Sequence, residues 1–339
     1  MAKTYDVTMA SSRRRVIMGV AALGAGIAAP NLLRIGTALA AYPDRVVKIV
    51  VANSPGGPSD IIARLLAASL QQAMGGSFIV ENKGGAGGNI GMGGVARADP
   101  DGYTLLVTTS AYVVNPGLYN SLPYDPIKDF VAIAELATTP NVLAVKPELG
   151  AKTMKDVVAL AKGDPEKFNV STPPVSTTPY LAVELLKVRE GLSKIATIVF
   201  TGGGNSLKAL LGNTVQLSVG ALAPAHPHLK SGAIVALATT GATRWHDLPD
   251  VPTMAEAGFK DFVLETYVGL MAPAMTPPEI VARLEKETLA ILNRPDIRDK
   301  LIQSGFQVEA KDGNSHTARI AREVPMYREI ITQAGIKKL

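Results

Sequence analysis

The sequence predicts an α/β protein made of two consecutive series of strands and helices, with a ligand cleft between them. Strand-like runs rich in Val and Ile alternate with helix-like runs nearly to the end of the chain. The alternation pauses near residues 146–147, and a second series then follows. The 339 residues and the hydrophobic content of 47% are enough for two cores. In such folds, ligands bind at the carboxyl ends of the strands.

The first series opens with the clearest unit of the chain. Val46–Ala52 is a β-branched apolar run that predicts a strand buried on both faces. Asn53–Pro58 is rich in Pro and Gly and predicts a turn, after which Ser59 or Asp60 is expected to cap a helix. This arrangement presents free backbone N–H groups and the positive end of a helix dipole at one edge of the sheet. We therefore expect the turn to form half of an anion site.

The remaining elements follow from the same patterns, and we take the two series to be two lobes. Further strands are predicted at residues 77–81, 103–108, 131–137, 142–145, 168–171, 195–200, 215–219, 234–239, 264–271 and 306–310. Helices are predicted at residues 153–162, 178–189, 206–211, 278–293, 295–304 and 315–334, and residues 84–94 form a predicted glycine-rich loop. Residues 41–142 and 266–339 then form lobe I, and residues 143–265 form lobe II.

The positive charge of the chain is concentrated at its amino terminus. The sequence has 34 Lys and Arg and 29 Asp and Glu, of which residues 1–40 hold five and one. The remaining 29 basic and 28 acidic side chains leave a nearly neutral body, which gives no electrostatic reason to expect nucleic acid as a partner.

Residues 1–40 are typical of an export signal. Arg13, Arg14 and Arg15 precede a weakly apolar stretch at residues 16–29, and Ala-Leu-Ala at residues 38–40 is a small-residue cleavage site. The consecutive arginines resemble the twin-arginine type, although a Sec signal has the same order of features. The apolar stretch is too short for a hydrocarbon core of roughly 30 Å. We expect cleavage near Ala40 and a mature protein in the periplasm.

The sequence gives little support for nucleotide chemistry or catalysis. Residues 84–94 contain no Gly-x-Gly-x-x-Gly, so we interpret this loop as a close-packed support behind the pocket. The chain has no cysteine and no Gly-x-Ser-x-Gly motif. Its four histidines, His226, His228, His246 and His316, are expected to be surface or capping residues. We predict no catalytic residue, no metal and no cofactor.

Hydroxyl side chains recur in the turns that follow apolar strands of both series. Together with backbone N–H groups they suit a carboxylate, because they donate hydrogen bonds without a fixed counter-charge. For any single residue, ordinary turn or cap chemistry explains the hydroxyl equally well. The hydroxyl residues are Ser54, Ser59, Thr108, Thr109, Ser110, Ser171, Thr172, Ser176, Thr177, Thr178 and Thr201.

Several motifs in order resemble one family across almost all of residues 42–339. They are Ser54–Asp60 with Ala63-Arg64, Glu81-Asn82, Gly85–Gly91, Asp99–Leu106, Leu210–Ser218, Leu248–Gly258, Ala272-Pro273, Thr276-Pro277 and Ala334–Lys337. On these motifs the chain resembles the solute receptors of tripartite tricarboxylate transporters, also called Bug or TctC-like binding proteins. The resemblance implies a periplasmic-binding-protein-like fold of type II, whose two lobes close on a carboxylate.

The resemblance also implies which residues contact the ligand. In lobe I they come from the turn at residues 54–60 and from residues that follow the Asp-Gly-Tyr-Thr motif. In lobe II they come from turns near residues 171–178 and 200–202. The predicted ligand-binding residues are Ser54, Gly56, Gly57, Ser59, Asp60, Thr109, Ser110, Ala111, Asn115, Ser171, Thr172, Ser176, Thr177, Thr201 and Gly202.

The second lobe departs from the pattern of the family. Ser171–Thr178 replaces a Gly-Ser-x-Gly-like turn, and Phe200–Gly204 replaces a Tyr-Lys-Gly-like turn. Val219–Ala221 stands where an acidic residue often follows the strand, and Tyr267 stands where a tryptophan is frequent. These differences concern the side of the cleft that would select the ligand.

We therefore predict a non-enzymatic, exported receptor, monomeric, that delivers a small organic carboxylate to a permease of large and small integral subunits of the TctA and TctB type. An alternative is a periplasmic hydrolase or isomerase that uses His226 or His228 with a metal. Another is a sensor lobe that presents its ligand to a signalling partner, since transport and sensing share the same binding physics.

Overall fold

The computed structural model describes residues 42–260 and 262–339, and the predicted export signal at residues 1–40 lies outside them. The strands are β1 (Val47–Val51), β2 (Phe78–Asn82), β3 (Thr104–Thr109), β4 (Phe130–Val145), β5 (Asn169–Thr172), β6 (Ala196–Val199), β7 (Leu217–Ala221), β8 (Val235–Thr239), β9 (Glu265–Pro273) and β10 (Gln307–Asp312). The α-helices are α1 (Pro58–Met74), α2 (Asn89–Ala96), α3 (Ala111–Leu118), α4 (Met154–Gly163), α5 (Thr178–Glu190), α6 (Gly203–Leu211), α7 (Leu222–Lys230), α8 (Pro278–Leu292), α9 (Pro295–Gln303) and α10 (Gly313–Gln333).

The strands form one continuous sheet in the order β2-β1-β3-β9-β4-β7-β5-β6, and β8 and β10 also pair with β4. β1 runs parallel to β2 and β3, and β5 runs parallel to β6 and β7. β4 and β9 run antiparallel to their neighbours. We call β2, β1, β3, β9, β10 and the start of β4 the first half, and the end of β4 with β8, β7, β5 and β6 the second half. This architecture confirms the predicted α/β fold.

Strand β4 runs through both halves and corrects one prediction. The sequence predicts two strands separated by Thr-Thr-Pro-Asn, because proline seldom lies inside a central strand. The structure has a single strand, whose ladder with β9 ends at Pro140 opposite Glu265. Its ladder with β7 starts at the next residue, Asn141, opposite Ala221. Pro140 therefore lies where β4 changes partners, and a missing N–H group is tolerated there.

Three further element predictions are wrong. The N-cap of α1 is Gly57, not Ser59 or Asp60, and Pro58 is its first residue, where a missing N–H group is harmless. The second part of the predicted glycine-rich loop is helix α2. The sequence pattern also misses α3 and α7, because each contains an internal proline, Pro116 and Pro227, that lowers helix propensity. Burial against the sheet outweighs that propensity.

Helices cover both faces of the sheet, which leaves the strand ends to form a site. Consecutive β1 residues point to opposite faces: Ile49 packs in the core with α1, α8 and α9, and Val50 packs in the core with α3 and α10. A third cluster lies in the second half under α6 and α7 and includes Val142 and Leu207.

Candidate functional site

A cavity of about 510 Å³ lies at the carboxyl ends of the strands, between the two halves. Helices α1, α3, α5, α6 and α7 each begin at its wall. From the first half it is lined by Ala52, Asn53, Ser54, Gly57, Pro58, Gly84, Gly85, Ala86, Gly87, Gly88, Thr109, Ser110, Ala111 and Thr266. From the second half it is lined by Val142, Ala144, Pro173, Pro174, Ser176, Thr177, Thr178, Pro179, Val199, Phe200, Thr201, Gly202, Gly203, Leu207, Ser218, Gly220, Ala221, Pro224 and Ala225. Its volume is in the range of small-molecule sites.

The turn between β1 and α1 touches the opposite half directly. The Ser54 hydroxyl donates a hydrogen bond of 2.8 Å to the carbonyl oxygen of Thr201, in the turn before α6. Ser54 and Gly57 line the cavity, whereas Gly56 lies outside its wall. A Cβ placed on Gly202 would lie 3.0 Å from the Cβ of Ser54, so the two turns are in close contact.

Ser59 and Asp60 are buried and do not line the cavity. The Asp60 carboxylate accepts hydrogen bonds from the N–H of Gly56 at 3.0 Å, from Asn82 Nδ2 at 2.9 Å and from Arg64 Nε at 3.1 Å. Burial raises the pKa of Asp60, but the hydrogen bonds from these groups outweigh it and hold the pKa below its usual value. Asp60 therefore orients the turn through the Gly56 N–H group.

The end of β3 and the start of α3 form the next part of the wall. Thr109, Ser110 and Ala111 all line the cavity. The Ser110 hydroxyl donates to the carbonyl oxygen of Glu265 at 3.2 Å and accepts from the N–H of Tyr267 at 3.0 Å. Ser110 thus fixes the start of α3 to β9, and its hydroxyl already has two protein partners.

Asn115 is buried behind this wall and supports the glycine-rich loop. Its Nδ2 donates to the carbonyl oxygen of Gly87 at 3.0 Å and to Asn89 Oδ1 at 2.7 Å. The loop itself corrects a prediction, because residues 84–88 form part of the cavity wall and do not lie behind it. Gly87 has φ 66°, and a Cβ there would lie 2.8 Å from the Cβ of Ser176 in the second half. Glycine permits this close approach.

In the second half, Ser176, Thr177, Thr201 and Gly202 line the cavity, but Ser171 and Thr172 do not. Ser171 and Thr172 are the last residues of β5 and are fully buried. The Ser171 hydroxyl donates to the carbonyl oxygen of Ser206 at 3.0 Å. Side chains within a strand point to the two faces of the sheet, whereas residues beyond the strand end face the cleft.

Sequence reasoning misses the apolar part of the wall. Val142, Ala144, Leu207, Gly220 and Ala225 line the cavity, although they follow the same pattern as core residues. Their apolar character alone gives no signal that separates them from the core. The differences from the family pattern at residues 200–204 and 219–221 lie in this part of the wall. They do not show which side chains face the cavity.

No charged side chain is among the described residues that line the cavity. The polar residues are Ser and Thr with their hydroxyls and Asn53 with its amide, and backbone groups at helix starts add further polar atoms. A helix N-terminus carries a partial positive charge and unpaired N–H groups, which together favour an anion. This arrangement suits the binding of an anion by neutral donors.

Comparison with known proteins identifies the family. The model of the tripartite tricarboxylate transporter family receptor matches residues 62–336. The chain belongs to this receptor family. The receptor is 30% identical to the protein BugT of Bordetella pertussis over 331 residues, which are 97% of this chain and 99% of that one.

Two solved structures from Rhodopseudomonas palustris are similar to the receptor. Rpa4515, solved with adipate, is 31% identical and has a TM-score of 0.84, covering 88% of this chain and 100% of its own. MatC, solved with bound malate, is 29% identical and has a TM-score of 0.81, covering 86% of this chain and 100% of its own.

Two of the four histidines of the receptor differ from prediction, because His226 and His316 are buried. His226 Nδ1 lies 2.9 Å from the carbonyl oxygen of Gln303, and burial and Lys230 lower the pKa of His226. Burial lowers the pKa of His316 to about 3, so the ring is neutral at pH 7. Neither histidine lines the cavity.

The described part of the receptor has neither a candidate metal cluster nor a candidate membrane-spanning helix. Residues 42–260 and 262–339 contain no group of three or more His, Asp or Glu side chains placed to hold a metal ion. Over the same residues, no helix is long and apolar enough to cross a membrane.

Proposed function

We propose that this receptor binds a small organic carboxylate in the cavity between its halves. The observation that carries the proposal is the convergence of the starts of α1, α3, α5 and α6 on a cavity whose described lining has no charged side chain. A carboxylate is stabilised there by neutral donors, whereas a cation would find no carboxylate partner. The relatives solved with adipate and malate support the same class of ligand.

The residues of the cavity wall are the proposed direct contacts, with ordered waters completing the hydrogen bonds. They are Ser54, Gly57, Thr109, Ser110, Ala111, Ser176, Thr177, Thr201 and Gly202. Gly56, Ser59, Asp60, Asn115, Ser171 and Thr172 act instead by holding those residues in place. Asp60 and Asn115 have the clearest positioning roles, since each binds a backbone group of a loop at the wall.

Binding is coupled to closure of two lobes. We propose that lobe I consists of residues 41–142 and 266–339, and that lobe II consists of residues 143–265. The contacts Ser54 to Thr201 and Gly87 to Ser176 join the two sides of the cavity. A ligand that touches both sides adds contacts only when the lobes are closed, and it therefore shifts the equilibrium toward the closed form.

The predicted export signal at residues 1–40 and the family together support a place for the receptor in the periplasm. There we propose that it acts as a monomer and delivers its ligand to a permease of TctA- and TctB-like subunits. The twin-arginine route stays a proposal, tested by Lys substitution of Arg13 and Arg14 and by measurement of export.

Thermal-shift screening followed by calorimetry tests the carboxylate proposal. The panel contains mono-, di- and tricarboxylates, aromatic acids and amino acids, with methyl esters of the same acids as shape-matched controls. We expect at least one acid to raise the melting temperature and its ester to have no effect. If only sugars or cations raise it, the proposal is wrong.

The same sample tests whether the protein acts as a receptor or as an enzyme. Chromatography of the bound acid after long incubation should recover it unchanged, with or without added divalent metal. A metal-dependent turnover abolished by His226→Ala or His228→Ala would instead support a hydrolase or isomerase. Ligand-dependent capture of a signalling protein, with no capture of permease subunits, would support a sensor.

A further inference from the structure

The cavity extends into an apolar compartment in the second half that contains none of the predicted contact residues. Its floor is the sheet face where β4 pairs with β7. Val142 lies opposite Gly220, and Ala144 lies opposite Ser218 in this antiparallel ladder. Paired residues and residues two apart in a strand point to the same face, so these four residues share one surface.

The walls of the compartment are also apolar. Leu207 from α6, Pro224 and Ala225 from α7 and Phe200 after β6 complete the lining around that surface. Leu207 and Ala225 belong to the same hydrophobic cluster as Val142 and Ala144. Val142 and Ala144 are each only 1% exposed, so the room on this surface lies beside Gly220, which is less buried and has no atom within 4 Å of a placed Cβ. The surrounding side chains are apolar, which suits an apolar group that leaves water.

The compartment has few free hydrogen-bond donors. At the start of α7, the N–H of Ala223 donates to Thr139 Oγ1 at 3.3 Å, and Pro224 has no N–H group. Ser218 supplies one hydroxyl, which lies 3.4 Å from the hydroxyl of Ser206. A carboxylate in this space would have neither a cation nor enough donors, and burial without them is unfavourable.

We propose that the ligand is a monocarboxylate with a bulky uncharged body, aromatic or branched alkyl, that fills the apolar compartment. This inference rests on the proposed function and adds the chemical class of the acid. The carboxylate lies at the starts of α1, α3, α5 and α6, and the body of the ligand extends into the space beside Gly220. Short dicarboxylates leave the compartment empty or place a second charge in it.

Gly220 sets the size of the group that fits. A Cβ placed on Gly220 has no atom within 4 Å, and the backbone there lies outside the left-handed region. A methyl group at this strand position therefore fits the protein, and a longer side chain would extend into space that the ligand needs. Gly220 is thus a specificity-determining residue.

Calorimetry on the full mature chain tests both the proposed class of acid and the proposed role of Gly220. We expect benzoate, phenylacetate or 4-methylpentanoate to bind at least tenfold more tightly than malate, succinate or citrate. Gly220→Leu should lower the affinity for the bulky acid at least tenfold, Gly220→Ala less, and the affinity for propionate should stay within threefold. Gly163→Leu is the control, because Gly163 ends α4, has no atom within 4 Å of its Cβ and does not line the cavity.

The results separate a failure of this inference from a failure of the proposed function. If no acid binds, the proposed function itself fails. If malate or citrate binds more tightly than every bulky monocarboxylate, the apolar compartment does not select the ligand. If Gly220→Leu weakens propionate and phenylacetate equally while its melting temperature stays normal, Gly220 does not set the size of the ligand.

Discussion

The hydroxyl of Ser54 and the carbonyl oxygen of Thr201 are joined by a hydrogen bond of 2.8 Å between the two halves. Ser54 precedes α1 and Thr201 precedes α6, so the bond joins two helix starts at the mouth of one cavity. A neutral hydrogen bond of this kind contributes about 1 kcal/mol. For the proposed closure, a contact of this size is small enough for ligand binding to outweigh it.

Gly202→Ser should weaken ligand binding without weakening the fold. Gly202 is the N-cap of α6, where serine is a preferred residue, and its extended backbone accepts any side chain. A Cβ there would lie 3.0 Å from the Cβ of Ser54, so closing the cleft would cost about 1 kcal/mol, or roughly fivefold in affinity. Calorimetry with the acid found in the screen measures the affinity, and thermal melting measures the fold.

The control for Gly202→Ser is Gly204→Ala. Gly204 lies two residues later in α6 and has no atom within 4 Å of a placed Cβ. Its substitution should leave the affinity unchanged within twofold. Equal affinities for Gly202→Ser and the wild type would show that the two turns do not meet when the ligand is bound.

Gly203→Asp should abolish most carboxylate binding, whereas Gly203→Asn should not. Gly203 is the first residue of α6 and lines the cavity, and the nearest atom to a placed Cβ is Pro173 Cγ at 3.9 Å. Asp60 in the first turn of α1 is paired with Arg64 at 2.9 Å, whereas an aspartate without such a cation stabilises the helix but repels an anion bound at its start. We expect at least a tenfold loss in affinity, about 1.4 kcal/mol, that shrinks at high salt. Similar affinities for both variants would place the carboxylate elsewhere.

The sequence was sufficient for the fold and for the turns that carry hydroxyls beyond strand ends. The sequence could place Ser54 and Thr201 at the cleft, because an apolar strand ends just before each of them and the turns that follow face the cleft. Ser171 and Thr172 looked equivalent, but β5 continues through them, so their side chains point to the faces of the sheet. One or two residues of strand length therefore separate a hydroxyl residue that lines the cavity from one that is buried.

Long-range packing explains what the sequence could not predict. Val142 and Gly220 face the cavity because β4 pairs with β7 in a particular register, and nothing local specifies that pairing. Helix α7 forms in spite of Pro227 because its apolar side packs against the second half. The positioning role of Asp60 likewise depends on Asn82, which is 22 residues away and comes close only when β1 pairs with β2.

Asp60→Asn should destabilise the fold at neutral pH, and less at acid pH. The hydrogen bonds from Arg64, Gly56 and Asn82 hold the pKa of Asp60 below its usual value in the folded state, although burial opposes this. Such a group adds stability above its unfolded pKa of about 3.9, and that stability is lost as pH falls through the folded pKa. Urea unfolding should give a difference of about 2 kcal/mol at pH 7 that narrows below about pH 4. A difference independent of pH would contradict this role.

A buried ionic network joins β4 to α10. Arg319 donates to the carboxylate of Glu135 on β4, and its Nε lies 2.7 Å from Glu323 Oε1, one helical turn further along α10. Glu135 and Glu323 are both buried, at 1% and 5% exposed. Burial raises the pKa of Glu323, and Arg319 opposes that rise. Arg319 is therefore the partner that both buried carboxylates share, while Lys311 lies further from Glu135 at 3.7 Å and Arg322 further from Glu323 at 3.8 Å.

Arg319→Met should lower the free energy of unfolding by about 3 to 5 kcal/mol, because it leaves two buried carboxylates without this partner. Arg322→Met is the matched control: Arg322 lies on the same helix 3.8 Å from Glu323 with its side chain 67% exposed, and its loss should cost less than about 1 kcal/mol. Without Arg319, Glu323 takes up a proton in the folded state more readily than in the unfolded chain, so the variant should gain stability as pH falls from 8 to 5.5. Urea unfolding of both variants at pH 8 and pH 5.5 measures these changes. Equal losses of unfolding free energy for Arg319→Met and Arg322→Met would show that the network does not stabilise β4.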